Sequence, residues 1–539
     1  MASKTWLAVS LMLLIWLGYM RWFAPIPTPP TVPTERVEQL TAVETSKSGL
    51  TETGGSPQQS PVVMKASDFS PIVQDQQGIQ IVTPSMDLLF SNNGGKIITA
   101  KLPKFHETID NNSPLITLVS PEQTSLALAT IFTDPNLAEF SRGRYDAKRL
   151  ENVVTFSKAT KTAVVTKEYR VSEDSNFVDA NFNITFLKGA QKEWGNLLIP
   201  VGTNGSEPFE TQLPLKSWEL VVYQNDEIKR VSIEKLRKDD ESVQQGHTNW
   251  VAFGNRYFSN VVINQESQIN PDVVYKKTEN FNGVYLRYPI VLKRDQTELK
   301  FALRFYVGPK DYNELSKVPG LKKLIDYGTF AVVAYPLLEL LRFFHKFIHN
   351  FGVAIILLTV LVRALFYPLS QKSMKSMKAM QKLQPQIAAI KEKHKDDQKK
   401  LNEEQMALFK VHKVNPAGGC LPMLVQLPVF IALYAVLGNS IELFHAPFFG
   451  WIQDLSTKDP FYIYPVLMGA AMFLQQKMTP SAGMDPAQQK MMYFMPVIFT
   501  FMMINLPSGL TLYIFVSTLL GVLQQGALKD KKGSLPQLA

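Results

Sequence analysis

The side chain with the most unusual setting in this sequence is that of Arg363, inside an apolar stretch long enough to cross a membrane. A charge near the centre of a bilayer costs about 2.5–3.5 kcal/mol even on lenient insertion scales, so such residues usually serve a function. Two interpretations stay open. The guanidinium lies about six residues, or roughly 9 Å, from the end of its span and could extend to the interface. Alternatively, it faces a wet, protein-lined cavity, which Thr359 and Gln426 could share.

The rest of the sequence offers little for covalent chemistry. It contains no G-x-x-x-x-G-K-[ST] phosphate loop, no G-x-S-x-G elbow and no H-E-x-x-H motif. The single cysteine, Cys420, excludes an intrachain disulfide and a cysteine-cluster metal site. His345 and His349 have the i,i+4 spacing of metal ligands, but without a third ligand we interpret them as interfacial histidines. We therefore expect neither an enzyme nor a bound metal or cofactor.

The N-terminal part of the 539-residue chain has two segments of opposite character. The apolar run Trp6–Met20 is followed at once by Arg21, with no small-residue cleavage site, which predicts an uncleaved transmembrane anchor at 1–23. Residues 24–67 are rich in Pro, Thr, Ser, Gly and Glu. Such a composition buries too little apolar surface to fold, so it predicts a disordered periplasmic linker.

Residues 68–325 carry the period of two that is typical of half-buried strands. Apolar and polar side chains alternate along 178–186 and again along 299–307. Turn signals such as Asn92-Asn93-Gly94-Gly95 separate runs of this kind. The pattern predicts a large antiparallel β-sandwich domain.

The C-terminal half is dominated by apolar runs that predict an α-helical transmembrane bundle. An amphipathic stretch at 326–350 is predicted to lie along the membrane surface ahead of it. The core of five spans covers 351–525, and the anchor brings the predicted total to six. The predicted spans are Phe351–Leu369, Gly419–Leu437, Pro460–Gln476, and two within Met491–Leu528 that are separated at Asn505–Gly509.

Charges in the loops orient these spans. Residues 364–413 carry 11 Lys against 5 Asp and Glu, whereas 439–460 carry one Lys against three acids. The loop 477–490 and the tail 526–539 are again net positive. This alternation predicts a multi-pass inner-membrane protein with both termini in the cytoplasm and the β domain in the periplasm. Because the lysines cluster beside apolar spans, the net charge of +9 suits anionic phospholipids better than a nucleic-acid substrate.

The cytoplasmic insert 370–413 is predicted to form a helical hairpin, with its second helix near 399–412. One sector of its first helix holds lysines and the opposite sector holds methionines. The lysines are Lys372, Lys375, Lys378 and Lys382, and the methionines are Met374, Met377 and Met380. Of the 19 methionines in the chain, 14 lie between 374 and 503. Flexible thioethers suit a surface that accepts varied apolar partners, although ordinary membrane packing also uses them, and the lysines suit anionic headgroups.

Four stretches together resemble the YidC-type membrane protein insertases over about 335–528. They are "VRALFYPLS", "VNPAGGCLPMLVQLPVFIALYAVL", "FLQQKM" and "DPAQQKMMYFMPVIFTFMMINLPSGLTLYIFVS". The anchor and the β domain resemble the Gram-negative form of the family. The resemblance implies a multi-domain membrane protein whose helical bundle holds a hydrophilic groove open to the cytoplasm and to lipid.

The resemblance also assigns residues to that groove. The groove arginine matches Arg363, and its polar neighbours match Thr359, Gln426 and Tyr513. Two motifs match the starts of the third and last spans: Asn415, Pro416, Gly418 and Gly419, then Pro507 and Gly509. The chain departs from the family pattern at Ile514, where a second aromatic is common, and at Thr518, where asparagine is common.

The function implied by the resemblance is insertion and folding assistance for newly made inner-membrane proteins. The expected partners are nascent membrane proteins, the Sec translocon, and the ribosome or targeting factors. A transporter or channel is the alternative, but no span contains Asp or Glu for a proton relay. A chaperone without insertion activity of its own is another. A sugar-processing enzyme would need convergent His and carboxylate groups, and the chain up to 325 holds only His106 and His247.

Overall fold

The computed structural model describes residues 78–530 except for short gaps. The gaps are 121–127, 188–192, 204–217, 233–235, 237–240, 266–268, 278–280, 395–396, 413, 415–420 and 479–485. The predicted anchor and linker and most of the tail lie outside the described residues. So do Asn415, Pro416, Gly418 and Gly419.

The described part of the N-terminal half is built from antiparallel strands. They are β1 Gly78–Val82, β2 Asp87–Ser91, β3 Lys96–His106, β4 Leu115–Val119, β5 Ile131–Phe132, β6 Asp146–Leu150, β7 Val153–Ala159, β8 Ala163–Val171, β9 Phe177–Phe186, β10 Glu193–Thr203, β11 Glu219–Gln224, β12 Glu227–Ser232, β13 Glu241–Gln244, β14 Thr248–Gly254, β15 Phe258–Asn264, β16 Asp272–Lys277, β17 Asn282–Val291 and β18 Glu298–Pro309. They form a sheet β1-β2-β3-β4, a sheet β13-β16-β17-β10-β5 and a nine-stranded sheet β12-β11-β14-β15-β18-β9-β8-β7-β6.

The alternation along β9 and β18 explains the core of this β domain. The two strands pair so that Phe182 lies opposite Phe301 and Ala180 opposite Leu303, and all four side chains are buried. Because successive side chains point to opposite faces, one face of the pair faces the core while the residues between them are more exposed. This inner face joins one apolar cluster with side chains from the other two sheets. The predicted β-rich fold is confirmed.

The outer face of the nine-stranded sheet is covered as well, by the segment that leads to the helices. Trp250, Val261 and Tyr306 are buried there in one cluster with Leu321 and Leu337. Strands covered on both faces lose the alternation, and β15 accordingly reads as an almost continuous buried run. The β domain and the helical region therefore share a packed junction.

Helices make up the rest of the described chain. They are α1 Glu139–Arg142 within the β domain, α2 Tyr312–Ser316, α3 Ala331–Ile348, α4 Phe351–Leu365, α5 Tyr367–Lys382, α6 Gln384–Lys393, α7 Gln398–Val411, α8 Leu421–Asn439, α9 Ile463–Met478, α10 Pro486–Met503 and α11 Ser508–Asp530. The break predicted at Asn505–Gly509 separates α10 from α11.

Helix α3 occupies the predicted amphipathic stretch. Its buried residues, Ala334, Leu337, Leu338 and Leu341, recur at helical spacing and face the junction cluster. Phe343 and Phe347 on the other side are exposed. The helix ends where His349 adopts a left-handed backbone conformation, and the Asn350 side chain then caps α4 by accepting a hydrogen bond from the Val353 amide at 3.1 Å.

Few of the described helices reach membrane-spanning length alone. Ser508–Gly526 is long and apolar enough by itself. Helices α4 and α5 meet the same criterion only together, and they are bent by 59° at Phe366. The predicted span Phe351–Leu369 thus ends at Leu365, where the chain turns sharply. The count of six spans stays a prediction.

The insert 370–413 is more segmented than the sequence indicates. Its first arm starts at Tyr367 and is divided into α5 and α6, with Pro385 at the start of α6. Proline has no amide hydrogen and is favoured in the first turn of a helix, which suits Pro385 to the start of a new helix. The second arm, α7, agrees with the predicted helix within one residue at each end. Its Glu404 accepts a hydrogen bond from Lys393 of the first arm at 3.2 Å.

A polar network fastens α2, α3 and the segment between them to the end of α8 and the loop after it. Arg342 of α3 donates from Nε to Glu442, which follows α8, at 2.8 Å, and from Nη1 to Asn313 of α2 at 3.2 Å. Asn439 donates to the carbonyl of Asp326 at 2.6 Å. Burial raises the pKa of Glu442, while the Arg342 guanidinium acts in the opposite direction. Charge pairing therefore fixes α3 against the loop after α8.

Candidate functional site

A cavity of about 440 Å³ lies among six helices of the C-terminal region. Arg363 comes from α4, and α5 contributes residues from the start of the insert 370–413. The remaining walls come from α8, α9, α10 and α11. The lining residues are Arg363, Ser370, Ser373, Met374, Met377, Gln426, Leu427, Phe430, Met472, Gln475, Phe499, Tyr513, Ile514, Ser517, Thr518, Gly521, Gln524 and Gln525. Polar and apolar groups therefore face the same space.

Arg363 is half-buried on the last turn of α4 and faces α11. Its Nε donates a hydrogen bond to Ser517 Oγ at 3.0 Å. Its Nη2 lies close to Gly521 of α11, because a Cβ added at that glycine would stand 3.7 Å from it. Within the described ranges, no Asp or Glu pairs with this guanidinium. It is a partly buried cation held by a neutral hydroxyl beside a cavity.

Two of the polar residues predicted to share the site with Arg363 do so. Gln426 of α8 lines the cavity and is half-buried. Tyr513 of α11 lines it too, with 2% of its surface exposed, and its ring lies 6.1 Å from that of Phe430. These residues come from helices far apart in the sequence, so helix packing brings them together.

Thr359 does not line this cavity, in contrast to its predicted place beside Arg363. Its hydroxyl donates to the carbonyl of Ile355, one turn earlier in α4, at 2.6 Å. Only 1% of the residue is exposed, within the packed cluster of the bundle. A threonine that bonds back to its own helix satisfies its hydroxyl without a partner elsewhere.

The second predicted motif anchors the start of α11. The Ser508 amide donates to Thr457 at 2.6 Å and the Gly509 amide to Leu455 at 2.9 Å, both at backbone carbonyls. A Cβ on Gly509 would stand 3.2 Å from that same Leu455 oxygen, so the glycine permits the close approach. Pro507 forms an isolated bridge with Lys458. The motif fixes α11, and with it Tyr513 and Ser517, against the preceding loop.

Comparisons with known proteins match most of the length of the chain. Residues 343–534 match the family described as "60Kd inner membrane protein", and 78–340 match "YidC periplasmic domain". The "Membrane protein insertase YidC" of Geobacter metallireducens is 36% identical over 538 residues, covering 97% of this chain and 98% of that protein. That of Geobacter sulfurreducens is 37% identical, covering 82% and 84%. The chain belongs to the YidC family.

A solved structure described as "Active YidC insertase crystal structure with the first transmembrane domain resolved" also matches. It is 20% identical and covers 87% of this chain and 96% of that chain, at a TM-score of 0.35. The family assignment rests on the sequence matches alone.

The predicted hairpin residues of this YidC family member divide between the cavity and the surface. Met374 and Met377 line the cavity with Arg363. Lys375 and Lys382 are exposed and Lys378 is half-buried, and none of the three lines it. Two methionines of the predicted sector therefore face the cavity, whereas Met380 of the same sector is not among its lining residues.

Sequence reasoning did not assign Ser517, Gly521 and Gln475 to the site. A signal for two of them was present, because Tyr513, Ser517 and Gly521 follow one another at intervals of four and so share one face of α11. A stripe of small and polar residues beside a predicted groove tyrosine marks the face toward the groove. Gln475 lies on α9, and only helix packing brings it to this face.

Proposed function

We propose that this YidC family protein is an insertase that moves the polar flank of a newly made membrane protein into the bilayer through the cavity beside Arg363. The supporting observation is a cation that has a hydroxyl as its partner and borders open space among apolar helices. A buried charge without a countercharge attracts a group of opposite sign more strongly than a solvated one. An acidic or otherwise polar client flank supplies that group.

The client's apolar segment then leaves the cavity for lipid, past α8 and α10. Burial of its side chains drives this step, at about 0.8 kcal/mol for each methylene removed from water. No nucleotide takes part, so the mechanism is physical and not enzymatic, without metal or cofactor. The cavity serves as the hydrophilic groove, and it shortens the apolar barrier that the polar flank crosses.

The cytoplasmic hairpin receives clients in this proposal. Met374 and Met377 support it, because they stand on the arm that leads away from Arg363 and face the same cavity. The exposed lysines of this arm suit the anionic phospholipid surface. We place the protein in the inner membrane with both termini in the cytoplasm. The Sec translocon and the ribosome are proposed partners.

The test is an insertion assay with purified protein in liposomes and no nucleotide. A single-span client with a short acidic outer tail is added, and protection of that tail from external protease is scored. Protection that falls in Arg363→Ala and persists in Arg363→Lys is the expected result. Thr359→Val is the matched control, since its hydroxyl bonds its own helix away from the cavity.

The other outcomes separate the competing functions. If protection is unchanged in Arg363→Ala, the protein is an insertase whose mechanism does not depend on this arginine. No protection by the unmodified protein rejects autonomous insertion and favours a chaperone that acts beside another channel.

A further inference from the structure

The hydrogen bond from Arg363 to Ser517 determines which edge of the guanidinium is left for a client. We infer that Ser517 is a positioning residue: by holding Nε, it turns the two terminal nitrogens of Arg363 toward the cavity, so that the groove prefers a carboxylate. This inference rests on the proposed function and deepens it. It names the residue that orients the guanidinium for the acidic group of the client.

The planar shape of the guanidinium determines how it can bind a carboxylate. Its five N–H groups lie in one plane, and it binds a carboxylate best through two parallel hydrogen bonds. Because Nε already donates to Ser517 Oγ at 3.0 Å, the edge between Nε and its neighbouring terminal nitrogen is engaged. The end formed by Nη1 and Nη2 is the remaining bidentate face. A carboxylate fits that end with both oxygens, whereas an amide accepts with only one.

The Nη2 atom of Arg363 lies near Gly521 and Gln475. It lies 3.7 Å from the place where a Cβ on Gly521 would stand, and that same Cβ would be 3.0 Å from Gln475 Nε2. The missing side chain at Gly521 therefore lets the Gln475 amide and the terminal nitrogens of Arg363 lie close to α11. Gly521 and Gln475 both line the cavity, so the terminal nitrogens lie at its wall.

The hydroxyl that holds Arg363 belongs to a buried residue, Ser517. Only 8% of the residue is exposed, so water competes little for its hydroxyl. A hydrogen bond at this position fixes the arginine side chain before the client binds. Binding then costs less rotational entropy. Ser517 thus acts through Arg363 and does not itself need to touch the client.

The experiment uses the full-length protein in liposomes and two clients that differ only by Asp or Asn in the outer tail. The unmodified protein is expected to protect the Asp tail preferentially. Ser517→Ala should reduce this Asp-over-Asn preference about five-fold, the effect of losing one ordinary hydrogen bond. Ser517→Thr, which keeps the hydroxyl, should retain it. Thr500→Val is the control, since its hydroxyl bonds the Pro496 carbonyl at 2.8 Å outside the cavity.

A double-mutant cycle separates positioning from direct contact. In an Arg363→Ala background, Ser517→Ala should change the preference no further, because the group through which it acts is gone. If Ser517→Ala fails to fold, Ser517→Cys supplies a near-isosteric weak acceptor and should also lower the preference.

Three results would overturn the inference. One is an unchanged preference in Ser517→Ala, and another is an equal loss with and without Arg363. The third is the absence of protection of either client by the unmodified protein, which would remove the proposed function as well.

Discussion

Two buried cations, Lys167 in the β domain and Arg363 in the helical region, have opposite surroundings. Lys167 is fully buried, and its ammonium donates to the carbonyl of Gly94 and the hydroxyl of Thr130. The ammonium also lies 4.7 Å from the centre of the Tyr145 ring. Among the described residues, the Arg363 guanidinium has one hydrogen-bond partner, the Ser517 hydroxyl, and it borders a cavity. One cation is enclosed by its partners, and the other is left partly unsatisfied.

The difference separates a structural charge from one available for binding. Burial, with a contribution from the charge of Lys96, holds the pKa of Lys167 well below its usual value. Its Nζ donates hydrogen bonds that fix the turn at Gly94 and Gly95, where Tyr169 also donates to the Gly95 carbonyl at 2.8 Å. A guanidinium holds its proton more firmly than an ammonium. Arg363 also borders a cavity, whereas Lys167 is enclosed by its partners, so only Arg363 can attract a group from outside.

The largest expected effect is on folding, at Lys167. Lys167→Ala leaves the Gly94 carbonyl and the Thr130 hydroxyl without this partner and opens a cavity in the core. We expect the free energy of unfolding to fall by about 3–5 kcal/mol. Pulse proteolysis of the full-length protein in detergent, across a urea series, measures this. Lys300→Ala on the exposed face of β18 is the control, and equal stability of the two variants would contradict the structural role.

The next effect is the pH dependence of the same region, through Lys96. Burial, followed by the charge of Arg142, lowers the pKa of Lys96 to about 8. The folded state therefore releases a proton near pH 8, whereas the unfolded chain holds it to about pH 10.5. Fewer bound protons in the folded state mean that stability rises with pH across this window, by up to about 3 kcal/mol.

The measurement for Lys96 is the free energy of unfolding at several pH values between 8 and 9.5. The upper limit matters because the raised pKa values of Tyr145 and Tyr169 lower stability above about pH 10, where tyrosines of the unfolded chain ionise. Lys96→Met should remove much of the rise. A slope that is identical in Lys96→Met would assign the pH dependence to other groups.

The same two regions show what the sequence could and could not predict. Period-two alternation predicted the β fold, and β9 and β18 pair face to face as it requires. It did not predict the second buried face of the nine-stranded sheet, since Trp250 and Tyr306 are covered by residues distant in the sequence. The bend at Phe366 was missed because hydrophobicity continues through it, although Pro368 in the first turn of α5 is a sequence signal for a new helix.

The site was predictable in its chemistry more than in its geometry. Arg363 stood out because a charge among apolar residues is costly. Gln426 was expected there as a polar residue within a span, and Tyr513 came from the family resemblance; the fold brings both to the cavity. Thr359 shares a face of α4 with Arg363 at i,i+4 spacing, yet its hydroxyl bonds Ile355. Spacing indicates which residues share a face, and only packing decides which of them border open space.

A third prediction contrasts Arg363 directly with Lys167. Arg363→Ala should change the free energy of unfolding by less than about 1 kcal/mol, because relief from burying a charge offsets the hydrogen bond to Ser517. Insertion of an acid-flanked client should fall about ten-fold, the equivalent of about 1.4 kcal/mol. Urea denaturation and the liposome assay on one preparation test both parts. A large loss of stability would make Arg363 a structural charge like Lys167.

The smallest effect is expected at Gly521, where stability and function should separate. Glycine inside a helix is less favourable than alanine by about 1 kcal/mol, so Gly521→Ala gains helix stability. The added Cβ would stand 3.0 Å from Gln475 Nε2, and this flexible side chain can shift a few tenths of an ångström. That shift moves the Gln475 amide beside the terminal nitrogens of Arg363, and we expect insertion to fall about two-fold while stability holds or rises. Gly526→Ala, five residues further along α11, is the matched control, since its nearest neighbour would be Met478 at 4.0 Å. Equal insertion by the two variants would show that the space at Gly521 serves packing and not the client.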